Sequence, residues 1–308
     1  MTEEILEAPQ YLESIEDRDE RSLLRMHAFV EALSTDYQRG RLSQEKISKI
    51  YRSFGEEFLN NTLQGYGWRK PFGYAGDFLM IDKIYTRYTS DNPKFRLWDE
   101  YFHRQAAPRA VRNRKEYFKQ LIHRKLQTEE SLTLLDMASG PARDLAEVYE
   151  SIDQPSRLQT TCVDMDARAI TYARKLNQRF LSHIEFVHKN VLRFHCQQKF
   201  HLIWSAGLFD YFNDNVFVAV LRRFRNFLEP GGEIVIGNFN QDNNPSRAYM
   251  EIFGDWFLYH RTEQQLIELA QKAGFYANEI YVGHEPENVN LFLHIKSDDS
   301  KNCKSKNI

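Results

Sequence analysis

The stretch Leu132-Thr133-Leu134-Leu135-Asp136-Met137-Ala138-Ser139-Gly140-Pro141-Ala142-Arg143-Asp144-Leu145 decides how this chain reads. Its first half is a short apolar run, suited to a strand buried on both faces. Its second half is a small, glycine-containing turn that opens a helix, where a ligand can approach backbone N–H groups. Small residues stand at 138, 140 and 142 with a single glycine among them, so this is not the G-x-G-x-x-G dinucleotide fingerprint. An ordinary tight strand-to-helix turn is the alternative.

Toward the C-terminus, strand and helix patterns alternate. Strands are expected at Leu158–Val163, Ile184–Val187, Phe200–Ser205, Gly232–Phe239, Phe275–Val282 and Asn290–Ile295. Helices are expected at Ala167–Phe180, Val216–Leu228 and Thr262–Ala273. With the first strand this makes seven, and the alternation predicts an α/β, doubly wound, mostly parallel sheet. No helix separates the last two strands, which should form a hairpin. Toward the N-terminus the pattern changes. Apolar residues at Leu23, Met26, Val30, Leu33 and Tyr37 step by three and four, as on one helix face. Gly40 ends that helix and Ser43 is a suitable N-cap for the next. Gly65, Gly67, Gly73 and Gly76 then predict a loop over 65–77. Helical patterns resume near Phe78–Tyr88, Phe95–Arg104 and Arg109–Leu126, and no strand pattern precedes residue 130. The reading is an acidic arm over 1–20, a helical cap over 21–130, a sheet domain over 131–296 and a polar, disordered tail over 297–308.

Composition narrows the function. Of 308 residues, 41 are Lys or Arg and 43 are Asp or Glu, a net charge of −2. That balance argues against a generic nucleic-acid binder, which is basic over a whole domain. No apolar run approaches the ~18 residues of a membrane span, leaving peripheral contact as the form of membrane association. The acidic start lacks the basic and apolar regions of a signal peptide. Cys162, Cys196 and Cys303 are far apart with no zinc or cluster spacing, which points to a reducing, cytoplasmic setting and no metal site. Aromatics reach 14%. They concentrate over 51–102, 200–212 and 249–259.

In an open parallel sheet, ligands bind at the carboxyl ends of the strands near the switch point. After the second strand, Asp164 is placed to accept both ribose hydroxyls of a nucleoside, or else to cap the next helix. Asp166 suits that cap. After the third strand, Asn190 and Val191 suit an adenine edge or a solvated turn. After the fourth, Ser205-Ala206-Gly207-Leu208-Phe209-Asp210-Tyr211-Phe212 crowds aromatics where substrate and ligand should meet, unless it is a lid on the sheet edge.

Together LLDMASGPARDL, CVDMD, HKNV, FHLIWSAGLFDYF and LEPGGEIVIGNF resemble the class I S-adenosylmethionine-dependent methyltransferases over about residues 115–296. The resemblance implies a Rossmann-like sheet, S-adenosylmethionine as cofactor and no metal. It implies that Asp136, Ala138, Ser139 and Gly140 cradle the methionine moiety, that Asp164 with Met165 holds the ribose, and that Asn190 and Val191 face adenine. Ser205 would complete the set. Ala142 replaces a common third glycine and Asn190 a common acid. A narrower likeness rests on KPFGYAGDFLMIDKIY, AAPRAVRNRKEY, SAGLFDYF and IGNFN…PSRAYMEIFGDWFLYHR. These pieces look like the bacterial extracellular-factor 3-hydroxypalmitic acid methyl ester biosynthesis family. That likeness implies methylation of a fatty-acid carboxylate, the acid being free or carrier-bound.

Methyl transfer from a sulfonium is an in-line displacement, so positioning and desolvation dominate. An ionised carboxylate needs no base, whereas a phenol or hydroxyl would. Tyr74, Asp210 and Tyr211 are the candidate catalytic residues. Asp77 could hold the donor's ammonium group, or cap the helix that follows it. Arg112 and Arg114 sit in a strongly cationic helix and are candidates for anion capture, unless that helix face is simply solvated. The apolar stretch around Tyr249, Phe253 and Trp256 is a substrate-binding insertion or a core helix. Arg247 and Arg261 flank it as carboxylate partners. The three aromatic stretches would then surround the donor's methyl group. A phenol or hydroxyl methylase of secondary metabolism, or a non-catalytic nucleoside-binding regulatory protein, are the other readings.

Overall fold

The computed structural model of the chain describes residues 20–297. The arm expected over 1–20 and the tail expected over 297–308 lie outside the described residues apart from their inner ends, as does Cys303. The described chain divides into two units, one of residues 20–109 with 245–257 and one of residues 110–244 with 258–297.

The first unit is helical. α1 (Glu20–Gln38) buries Met26, Val30 and Leu33, and α2 (Gln44–Ser53) begins at Ser43, whose hydroxyl accepts the Lys46 N–H. α3 (Gly55–Asn61) and α4 (Leu63–Arg69) follow. Here the expected loop shrinks. Gly65 and Gly67 lie inside α4, where a Cβ on Gly65 would come within 2.3 Å of the Leu59 carbonyl oxygen. These glycines serve close backbone approach, not a turn, and tertiary packing overrides their low helix propensity. The irregular part is 70–77, with Lys70 at φ 46°, Gly73 at 90° and Gly76 at 66°. α5 (Phe78–Tyr85) and α6 (Pro93–Arg104) complete the series, with α11 (Arg247–Gly254) joining it from later in the chain. The aromatics of this unit pack on one another. Tyr51 stacks on Trp68 at 3.7 Å, Phe54 on Phe58 at 4.4 Å and Tyr249 on Phe253 at 4.9 Å. Trp98 meets Phe54 and Phe58 edge-on, the arrangement favoured by ring quadrupoles.

α7 (Ala106–Thr128) carries the chain from one unit into the other. The sequence reading ends the helical part at 130, whereas the units part at Arg109. The reason is that Phe118, Leu121 and Ile122 of α7 are core residues of the sheet.

The second unit holds β1 (Leu132–Met137), β2 (Leu158–Asp164), β3 (Ile184–His188), β4 (Phe200–Ala206), β5 (Leu228–Phe239), β6 (Ile280–His284) and β7 (Asn290–Lys296). Their order is β3-β2-β1-β4-β5-β7-β6. The first five run parallel and β7 runs antiparallel to β5 and β6, closing the expected hairpin. β1 therefore lies at the switch point, with Asp136 beside Cys162 of β2 and Trp204 of β4. α8 (Arg143–Ser151), α9 (Ala167–Leu176), α10 (Asp214–Phe224) and α12 (Glu263–Lys272) are its remaining helices. Neighbouring residues of one strand serve opposite faces. Leu135, Ile203 and Ile234 pack with α10 and α12, while Leu134, Leu202 and Val235 pack with α7 and α8. That explains why these strands read as continuous apolar runs instead of alternating ones. β5 starts four residues earlier than expected, pairing Leu228 with Phe200 across an irregularity in the β4–β5 register.

Candidate active site

The turn after β1 is bent at three alternate residues. Ala138, Gly140 and Ala142 have φ values of 60°, 55° and 48°. For a residue with a Cβ that region is strained by roughly 1–2 kcal/mol, which accounts for small residues at all three positions. A Cβ on Gly140 would meet nothing within 4 Å, so the backbone there is approachable. The Asp164 carboxylate staples the turn. Its Oδ2 accepts the Gly140 N–H at 2.9 Å and its Oδ1 the Asp166 N–H at 2.9 Å. Asp166, not Asp164, caps α9 by accepting the Arg168 N–H. Next to this staple Met165 is 66% exposed, an unusual state for so apolar a side chain.

Asp136 is buried at the end of β1. Burial pushes its carboxyl well above the usual range, Asp144 and Asp164 push it further, and Arg114 opposes them. Asp144 and Asp164 are likewise raised by burial, with backbone N–H bonds working against the rise. Asp210 follows β4 and is also buried. Its Oδ1 accepts the Phe239 N–H at 2.7 Å. Burial pushes it up to about 6 despite that bond, Arg114 and Arg261. Arg114 is thus the shared countercharge of three buried acids. A Cβ on Gly207 would come within 3.0 Å of its Nη1, so the glycine makes room for the guanidinium. Anion capture from solvent was the expectation for Arg114, but at 5% exposed it is part of the acid cluster.

Arg261 is also inward, at 3% exposed. Its Nη1 donates to Asn238 Oδ1 at 2.9 Å and to the Phe209 carbonyl at 3.2 Å. Its Nη2 donates to the Phe212 carbonyl, and Nε and Nη2 share Asp214 Oδ1. These bonds clasp the β4 exit to the end of β5. The clasp makes Arg261 a support of Asp210 and Tyr211, with its donors spent on protein oxygens. Tyr211 itself is 39% exposed. Ser205 is fully buried and its hydroxyl donates to the Met137 carbonyl at 2.9 Å. The Asn190 carboxamide accepts the Leu192 N–H of a short 3-10 turn, within which Val191 is buried. Arg112, of intermediate burial, lies one helical step before Asn113, whose side chain donates to Glu285.

So the second unit gathers Asp136, Ala138, Ser139, Gly140, Asp164, Met165, Asn190, Val191, Ser205, Asp210 and Tyr211 along the carboxyl edge of its sheet. Tyr74, Asp77, Arg247, Tyr249, Phe253 and Trp256 belong to the first unit. There Asp77 caps α5 by accepting the Leu79 and Met80 N–H groups and takes the Tyr66 hydroxyl as well. Arg247 pairs with Glu251 at 2.8 Å, and Tyr249 accepts from the Gln64 amide at 2.9 Å. The Phe253 carbonyl accepts the Tyr51 hydroxyl. A Cβ on Gly76 would strike the Trp256 indole at 2.3 Å. Tyr74 is 39% exposed. The sequence reading missed Asp144, Asn238 and Asp214. Asp144 carried a signal, since an acid in the first turn of a helix after a bent turn is a natural neighbour of Asp136.

Residues 134–232 match the family model of the methyltransferase domain. The chain carries a methyltransferase domain over that span, and the cofactor such a domain implies is S-adenosylmethionine. No curated protein matches the chain by sequence. Among solved structures it is similar to an export-candidate protein of Bordetella parapertussis, at 16% identity and TM-score 0.64, covering 76% of this chain and 86% of that one. It is similar to an O-methyltransferase candidate of Nostoc punctiforme, at 15% identity and TM-score 0.50, covering 62% of this chain and 57% of that one. It is also similar to the magnesium protoporphyrin IX methyltransferase of Synechocystis, at 10% identity and TM-score 0.50, covering 63% and 88%. At such identities these likenesses establish the α/β methyltransferase fold. No helix among the described residues is long and apolar enough to cross a membrane.

Proposed function

We propose that this protein transfers a methyl group from S-adenosylmethionine to an oxygen of a small apolar acid, in the manner of a fatty-acid carboxylate methylase. The observation that carries the reading is the stapled turn at the switch point, left-handed at 138, 140 and 142 and held by Asp164. It fits the donor. Gly140 leaves open space over the backbone, Asp164 retains lone-pair capacity beyond its bonds from the Gly140, Asp166 and Met165 N–H groups, and exposed Met165 offers an apolar face for a base. Asp136 would hold the donor's ammonium group, whose charge would favour the ionised form of this buried acid. When bound, the donor supplies an already activated methyl group, so no acid catalysis is required.

The β4 exit supports an acceptor that arrives ionised. Asp210 follows β4, but its carboxylate is buried and engaged by the Phe239 N–H. It is therefore poorly placed to remove a proton from a phenol. Tyr211 is exposed and can orient the acceptor oxygen by hydrogen bonding. A carboxylate oxygen that attacks the methyl carbon along the sulfur–methyl axis forms the ester C–O bond as the S–C bond breaks, leaving the thioether, with no proton to dispose of. The buried Cys162 thiol, pushed up by burial, and the half-buried free Cys196 suit a reducing cytoplasm.

The test is labelled donor with long-chain acids, free and carrier-bound. Methyl label that mild alkali releases is the expected product. Label that survives alkali moves the reaction to an ether or amine. Donor binding without turnover on acids or phenols leaves a nucleoside-binding protein.

A further inference from the structure

Several lysines of the strongly cationic helix α7 are neutralised. Lys115 and Lys119 pair with Glu147 at 2.6 and 2.9 Å, and Lys125 pairs with Glu233 at 2.7 Å. A different surface keeps its charge. Arg222 and Arg223 end α10, Arg225 follows in a short 3-10 turn, and Arg193, Lys199 and Lys272 lie on the segments bonded to them or beside those bonds. Arg222 donates to the Lys272 carbonyl at 3.0 Å, Arg223 to the Phe194 carbonyl at 2.9 Å and Arg225 to the Gly274 carbonyl at 2.9 Å. Lys199 donates to the Asn226 carbonyl. None of these six cations forms an ion pair among the described residues.

Two features make this more than a solvated face. Between Lys189 and Leu228 the sole acids are Asp210 and Asp214. Asp214 starts α10, at the other end of the helix from the arginines, and the nearest acids on the adjoining segments, Glu229 and Glu268, pair with none of the six cations among the described residues, so the cations outnumber the acids here. The guanidinium groups are also anchored through carbonyl oxygens, which use some N–H donors and leave others outward without cancelling charge. Arginine forks anchored in this way match phosphate oxygens. Within the same segments Leu192 is 43% and Tyr276 53% exposed, one apolar and one amphipathic side chain of the kind that settles at headgroup depth.

We propose that this α10 terminus is a docking surface for a bilayer rich in anionic phospholipid, holding the protein peripherally. The surface does not depend on which acceptor is methylated. Arg222, Arg223, Arg225 and Lys199 lie where β4 and β5 begin, whereas the donor turn lies at the carboxyl ends of the strands. Binding to it and donor binding are therefore separable measurements.

The experiment is cosedimentation of the full chain with phosphatidylcholine vesicles, with and without a third of phosphatidylglycerol. The protein should pellet with the anionic vesicles alone and be released near 1 M salt, where the screening length falls to about 3 Å. Each cation near an anionic surface is worth about fivefold in partitioning, so Arg222→Ser with Arg225→Ser and Lys272→Ser should lower it about 10²-fold. Because those arginines also tie loops together, Lys199→Glu is the companion variant, at the start of β4 and away from the donor edge, its side chain bonded to the Asn226 carbonyl alone among the described residues. It should weaken partitioning about tenfold or more with unchanged donor affinity. Lys115→Ser should bind vesicles as the wild type does. Wild-type protein left in the supernatant with anionic vesicles overturns the proposal, as does a triple variant that binds undiminished. Retention on immobilised polyglutamate or an oligonucleotide, but not on vesicles, would assign the surface to an acidic macromolecule and overturn the lipid reading.

Discussion

At the carboxyl edge of β1 and β2 the backbone is bent out of its ordinary range and acids crowd together in a dry environment. In the helical unit the backbone is mostly regular, and aromatic rings and capping groups use up one another's faces and donors. The first region concentrates several buried acids against their preferences, whereas the second mostly satisfies its groups, with Asp99, a buried carboxyl pushed up to about 6, as its exception. Ligand chemistry favours places where the fold leaves groups strained or uncompensated, and by that measure the edge proposed for the donor is the better candidate. Aromatics that the composition suggested as a substrate chamber are, for Tyr51, Phe54, Phe58, Trp98, Tyr249 and Phe253, a packed interior.

The difference can be broken first at Asp164. Asp164→Ala removes the staple of the turn and, on the proposed reading, the ribose acceptor as well. At about 1.5–3 kcal/mol for each hydrogen bond to a charged group, donor affinity measured by calorimetry should fall about 10³-fold. A loss below tenfold would detach the site from this turn.

In the helical unit the corresponding break is structural. Gly76→Ala forces a Cβ into the Trp256 indole at a φ of 66°. Overpacking and backbone strain together should cost about 3–4 kcal/mol, read as a fall in denaturant midpoint. A variant as stable as the parent would show that the contact yields freely.

Asp210 sharpens the comparison through pH. Its folded-state value of about 6 exceeds the usual 3.8, so between these values the native state keeps a proton that the unfolded chain has released. Stability should therefore fall as pH rises through this window and level off above it. Asp210→Asn, which needs no proton, should be up to about 3 kcal/mol more stable than the parent above pH 6 and about equal to it near pH 4. A difference that does not change with pH would refute the assignment.

The smallest effect is expected at the α7 ion pairs. Lys115→Gln leaves Lys119 on Glu147, and thermal unfolding should show a change within about 1 kcal/mol.

Much of the carboxyl edge was legible because its signals are local. A strand, a small-residue turn and a following acid are each a few residues long, and the switch point follows from the alternation of elements. The hairpin of β6 and β7 was legible for the same reason. Other features required the three-dimensional arrangement. The glycines of α4 resemble loop glycines until Leu59 is seen against Gly65. Arg261 has partners at 209, 212, 214 and 238, and no local window contains them. The α7 lysines look free until the folded chain brings Glu147 and Glu233 to them. Burial decides these cases, and burial is a property of the whole chain.

The double duty of Asp164 bears on attempts to alter donor preference. If, as proposed, the Asp164 carboxylate meets the ligand while fixing the loop opposite, it cannot be retuned for one task alone. Asp164→Glu would move the oxygens by a methylene and release Gly140 before any new analogue was accommodated. Met165, whose side chain is 66% exposed, is the sounder place to reshape the proposed site for modified nucleosides.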